Sequence, residues 1–251
     1  MINVKGIWTQ CGGAVALVAF AALPAQAQEM GLWEDRGFVN VSGGVQPTGR
    51  THVATGEFDL YDETGSFNAS LKTRSAGIFD LHTGVRVFDN ALVSVAYTRY
   101  ADTLGAFVNA RVPNPLFVDA FADATSEVGS LKHTEHAVHM SAGYMLLVPG
   151  LSDLRLLFHA GPTVFSLDKD VVIGVSVTPG TQQVDDVRRQ NISGTALGAH
   201  FGADVQYIIT RQFGAGLLLR WAAGTVDVPQ VDGGKVKVGG LTIGGGLRYS
   251  F

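Results

Sequence analysis

Seven charged side chains and four histidines hold most of the chemistry open to this chain. They are Arg86, Arg155, Arg220 and Arg248, Asp80, Glu135 and Asp204, and His82, His139, His159 and His200. Each alternates with apolar residues along a short segment instead of sitting in a polar stretch. A buried charge of this kind persists only when paired and hydrogen-bonded. The leading reading is a water-bridged plug of salt bridges in which Asp204 meets Arg220. A narrow proton or ion path is the second.

His133, Glu135, His136 and His139 form another cluster, and imidazole with carboxylate can bind zinc. On an extended strand His133, Glu135 and His139 share one face and His136 takes the other. Rim histidines are usually solvated, so no metal or other cofactor is expected. Ser141 follows His139 on the same face. A hydrolase needs a serine, a histidine and an orienting acid within reach. This pair points away from any lipid substrate, so no catalytic residue is expected and the chain reads as non-enzymatic.

Period-two alternation supplies the elements that hold these groups. Candidate strands cover 38–46, 78–87, 91–100, 135–148, 154–164 and 197–209, then one from Phe213 through Trp221, and one from about 236 to 251. Val39, Val85, Val138, Phe158, Phe201 and Leu219 fall on the apolar faces; the charges and histidines above fall on the polar ones. Short connections near 89–90, 149–153 and 210–212 interleave with long ones at about 47–76, 101–134 and 165–196 and a shorter one at 227–235. That rhythm suits an eight-stranded antiparallel up-and-down transmembrane β-barrel with extended outer loops. In a soluble barrel of the lipocalin type the polar face would look outward and carry many lysines and glutamates; here it is rich in glycine and serine. The loops also contain strand-like runs at 57–61, 66–71, 107–112, 116–121 and 170–178. Alternating apolar residues in them, such as Phe58, Leu60, Phe107, Leu116, Val171 and Ile173, predict order above the membrane.

The 251 residues are 46% hydrophobic, yet no eighteen-residue apolar run offers a membrane helix. Lys5, the apolar run 14–23 and Pro24-Ala25-Gln26-Ala27 make a charged, then apolar, then small-residue series. This predicts a signal peptide over 1–27 and a barrel domain over 28–251. The single cysteine, Cys11, lies in the leader, so the mature chain has no disulfide or thiolate chemistry. A formal charge of −4, or −5 without Lys5, argues against nucleic acid as a partner.

The segment Gly246-Leu247-Arg248-Tyr249-Ser250-Phe251 resembles the C-terminal signal of bacterial outer-membrane proteins. Residues 36–251 as a whole resemble the small outer-membrane β-barrel superfamily of the OmpA-transmembrane-domain and OmpX types. The resemblance implies an outer-membrane location, contact with outer-membrane lipid, and recognition of Gly246, Tyr249 and Phe251 by the barrel assembly machinery. No peptidoglycan-binding domain is expected after the last strand, so cell-wall anchoring is not implied. The functional expectation is a structural or surface-interaction barrel acting through its extracellular loops. The alternatives are a small channel or carrier for apolar molecules of the OmpW type and, behind it, a lipid-modifying enzyme.

Overall fold

A computed structural model describes residues 32–47, 49–178, 183–228 and 234–251; the leader proposed over 1–27 lies outside them. The chain forms β1 (Gly37–Gln46), β2 (Thr51–Leu60), β3 (Glu63–Lys72), β4 (Ala76–Phe88), β5 (Ala91–Pro113), β6 (Phe121–Leu147), β7 (Leu154–Val177), β8 (Val184–Ile208), β9 (Phe213–Asp227) and β10 (Lys235–Ser250). Eight of these close a ring in chain order: β1, β4, β5, β6, β7, β8, β9 and β10, all antiparallel, with β10 returning to β1. The closing register runs from Phe38↔Ser250 to Val45↔Ile243. The hairpin β2–β3 stands outside the ring, and β3 pairs with upper β5 from Ser66↔Arg111 to Leu71↔Ala106. Among the described residues no helix is long and apolar enough to cross a membrane. Crossing falls to the strands, whose closure leaves no unpaired edge within the bilayer.

The exterior of the ring is apolar. Val85, Val138, Phe158, Phe201 and Leu219 are exposed, Val39 is half-buried, and Tyr207, Phe213, Trp221 and Leu247 face out with them. Such an exposed belt is stable only against lipid. At the C-terminal edge Tyr249 lies 5.1 Å from the Phe213 ring and 6.0 Å from Phe251, an aromatic cluster at the end of the ring nearest the short turns.

β5 to β8 have 23, 27, 24 and 25 residues, where about 9–11 suffice to cross. The surplus continues the same ladders past the membrane, so the stretch 101–134 is mostly a continuation of one long β5–β6 hairpin. One strand-like run is corrected: residues 114–120 form its turn, tied by Asn114 N–H to Ala120 O, and strand resumes at Phe121. Pro113 and Pro115 lack the donors that would carry the ladder further.

β2, β3 and the upper parts of β5 and β6 make one layer of a head beyond the membrane, and upper β7 and β8 pack against it. Between them lies a dry core with Phe67, Leu71, Leu104, Val108, Val112 and Leu131 on one side and Val172, Val175 and Val187 on the other. Phe58 and Leu60 pack at its margin. Phe107, Leu116 and Ile173 do not join it and face water.

Candidate functional site

Residues of one parity on each ring strand point inward, and they stack in layers. At the short-turn end Trp33, which precedes β1, is fully buried with Phe38, Leu92, Met145 and Leu157. Its backbone N–H donates to Asn90 Oδ1 at 2.8 Å. Arg86 donates to the Trp33 carbonyl, and Arg155 pairs with Asp35 at 2.5 Å. Arg86 and Arg155 therefore clamp the segment before β1 across the short-turn mouth of the ring. Asp35 and Trp33 were not legible as parts of this layer, because the segment that carries them has no strand period.

Above the plug, Arg248 donates from Nε to Asp204 Oδ1 at 2.9 Å and from Nη2 to Oδ2 at 2.6 Å, and from Nη1 to Ser42 at 2.9 Å. This corrects the expected Asp204–Arg220 contact. Asp204 lies opposite Leu218 on β9, and Arg248 reaches it across β9 from the far side. It can do so because Gly216 intervenes; a Cβ there would lie 2.7 Å from Arg248 Nε. Arg220 instead crosses the lumen to β4 and donates to Asp80 at 2.5 Å and to Thr98 at 2.9 Å. Both pairs are about 1% exposed, so each carboxylate is the compensating charge for its guanidinium.

The histidines fill the space around these pairs. Thr98 donates to Asp80 at 2.6 Å and lies 3.1 Å from His139 Nε2. His139 Nδ1 meets Thr163 at 2.8 Å, Thr163 meets His200 Nδ1 at 2.8 Å, and His200 Nε2 meets Ser141 at 2.8 Å. Ser141 thus pairs with His200 rather than with its strand neighbour His139, and a threonine occupies the place where a triad would put an acid. The His82 and His159 rings lie 5.0 Å apart and tilted to one another, and their ring nitrogens have no hydrogen-bond partner among the described residues. Phe165 caps the layer in a slot left by glycines; Cβ atoms at Gly198, Gly224 and Gly239 would come 2.8, 2.7 and 3.1 Å from its ring. With Leu167, Ala222, Val236 and Val238 it forms a second apolar seal. The lumen between the two seals is closed by side chains, as expected for eight strands.

The cluster on β6 is divided among separate surroundings. His133 Nε2 lies 2.9 Å from Glu135, whose other oxygen accepts from Gly239 N–H at 2.8 Å. His136 faces outward and its Nδ1 meets Tyr97 Oη at 2.7 Å. His139 belongs to the lumen chain below. Among the described residues no group of three or more His, Cys, Asp or Glu is arranged to hold a metal ion. Lys169 sits opposite His133, fully buried, and its amine has no hydrogen-bond partner among the described residues. It lies beyond the membrane, since its neighbours Ser166 and Asp168 face outward into solvent. Burial lowers its pKa to about 8 against an opposing pull from Glu135. His52 on β2 is lowered to about 4, first by burial and then by Lys169, His133 and Arg50.

The head carries a groove of about 900 Å³ on the outer face of the β2–β3–β5–β6 layer, lined by Thr55, Glu57, Asn68, Asn109, Arg111 and Asp123 among others. None of these residues figured in the sequence reading of the site. Their signal was the polar parity of segments whose opposite parity is apolar.

The chain matches no family model and no curated protein. Solved structures are similar to it at low identity. Outer membrane protein OprG from Pseudomonas aeruginosa aligns at 11% identity and a TM-score of 0.44 over 86% of this chain and 97% of its own. Ail, the attachment invasion locus protein of Yersinia pestis, solved with the heparin analogue sucrose octasulfate, aligns at 15% and 0.36 over 85% and 99%. The outer membrane protease OmpT from Escherichia coli aligns at 9% and 0.45 over 89% and 99%. At these values no residue role passes from those proteins to this one. The closed ring and its lipid-facing belt make this chain an outer-membrane β-barrel on their own terms.

Proposed function

We propose that this protein is a non-enzymatic, non-conducting outer-membrane barrel that presents an ordered extracellular head for surface interaction. The observation that carries the reading is the head's own dry core, from Ala54 and Phe67 to Val175 and Val187, built entirely outside the lipid belt. Passive loops need no such core, because backbone at the surface is solvated at little cost. The lumen supports the same reading from the opposite direction. Two apolar seals and two buried ion pairs occupy the lumen, which supports a closed barrel, and Ser141 lies within, away from lipid and solvent. The barrel's standing partners are outer-membrane lipid along the belt and, during insertion, the assembly machinery at Gly246, Tyr249 and Phe251.

Planar-bilayer recording combined with shortening of 47–76, 101–134 and 165–196 tests this. The intact protein is expected to pass no discrete current steps. The shortened barrel is expected to insert and fold, with surface binding lost. Discrete conductance in the intact protein would move the assignment to a channel, and a lipid hydrolysis product that disappears in His139→Ala would move it to an enzyme.

A further inference from the structure

The groove on the head differs in chemistry from an ordinary solvated strand face. Four strands put their outward side chains in register. Thr55 lies opposite Asn68, Asn68 opposite Asn109, and Asn109 opposite Thr125. The adjacent row runs Glu57, Ser66, Arg111 and Asp123 in the same way. All eight are exposed. The Arg111 guanidinium is stacked 4.3 Å above the Phe121 ring, and Phe107 in the next position along β5 is 44% exposed on the same face.

We propose that this groove binds an uncharged oligosaccharide lying across the strands. The proposal rests on the reading of the head as the interacting part of the molecule, and names what it takes. Asparagine offers a donor and an acceptor side by side, carboxylate offers two acceptors, and guanidinium a fork of donors. Vicinal sugar hydroxyls, each both donor and acceptor, are the complement of such paired groups. Most of these side chains are short, so fixing them costs less entropy than fixing lysines or glutamines. Strands are spaced about 4.7–4.9 Å apart, close to the repeat of an extended pyranose chain, so each strand can address one ring. Phe107 supplies an apolar surface for the C–H face of a sugar.

Charge selects within the class. Glu57 and Asp123 flank the single Arg111, and Glu127 faces Phe107 from β6. A sulfated or otherwise polyanionic glycan would meet net repulsion there. A protein partner would be expected to find a desolvated aromatic or aliphatic centre; the middle of this face is instead amide and hydroxyl.

The test uses the full-length barrel in detergent micelles on an array of neutral oligosaccharides, with cellotetraose and chitotetraose as solution probes and a heparin oligosaccharide as the charged comparison. Saturable binding to a neutral glycan is expected, with no heparin binding. Asn68→Ala and Asn109→Ala are each expected to weaken it at least tenfold while leaving the heat-dependent gel mobility of the folded barrel unchanged. Absence of binding across the neutral array, binding undiminished in both variants, or capture of heparin in place of neutral glycans would overturn the proposal. Current steps in a bilayer would instead overturn the non-conducting reading of the barrel, so the two failures are told apart.

Discussion

The lumen and the head are made from the same strands, yet they solve opposite problems. Along β5 the even-numbered residues point inward throughout. In the membrane they include the buried Ser94 and also Thr98, which contacts the Asp80–Arg220 pair, while Val93, Val95 and Tyr97 face lipid. Above the membrane the inward residues become Leu104, Ala106, Val108, Ala110 and Val112, while Asn109 and Arg111 face water. β8 does the same in reverse order: Ile192 is buried and Ser193 and Thr195 are outside, then His200 is buried and Leu197 and Phe201 are outside. The pleat keeps its phase and the hydrophobicity changes sides. The solvent at each height, not a property of the strand, decides which face must be apolar. The crossover near Tyr100, Ser166 and Thr195 marks the outer membrane boundary.

The largest effect that would break this comparison is in the lumen. Asp80→Ala strips Arg220 of its carboxylate, and Asp204→Ala does the same to Arg248. Each is expected to cost about 3–5 kcal/mol, because a buried guanidinium is left uncompensated, read as a lowered urea midpoint in lipid vesicles. An unmoved midpoint would mean that these pairs are not structural. A smaller effect sharpens the contrast between heights. Leu219→Arg on the lipid face is expected to cost about 2–4 kcal/mol, and Phe107→Arg, equally outward but above the membrane, to stay within about 0.5 kcal/mol. Equal penalties would place the boundary wrongly.

The smallest expected effect is in acid and base. His52, held near 4 in the folded head against 6.5 unfolded, binds fewer protons folded than unfolded between those values. Head stability should therefore fall as pH drops from about 6.5 toward 4. Lys169, held near 8 against 10.5, has the same sign: stability should rise as pH climbs from about 8 toward 10.5. Hydrogen exchange of β2 and upper β7 amides across pH is the measurement. Faster exchange of those amides at pH 9.5 than at pH 7.5, at matched intrinsic rates, would contradict the burial of Lys169.

The ring was legible because alternation over eight segments has one simple period and the short turns set its direction. Facing was legible too, with Asp80, Asp204 and Arg220 inside and Phe158, Phe201 and Leu219 outside. Partners across the lumen were not, since they depend on distances between strands far apart in sequence. Gly216 held the missing signal: an inward glycine between two strands is a passage for a long side chain, and Arg248 uses it. The head core was only half legible. Its strand runs were visible, but Phe107 and Ile173, taken as signs of order, lie on the wet face, and the core is built from neighbours such as Val108 and Val172. A single apolar side per strand does not hold along these strands, because the side reverses at the membrane boundary.

The seam between β1 and β10 carries a kinetic consequence. Phe38 finds Ser250 only after every intervening strand exists, so the ring is the last thing to form and contacts of long sequence separation set its pace. Two indoles stand on either side of that event. Trp221 faces lipid, and Trp33 is fully enclosed beside Asn90 in the plug at the short-turn end. In single-tryptophan variants the first should change its emission on insertion and the second only when the plug seats, so one refolding trace can time arrival in the bilayer separately from completion of the cylinder.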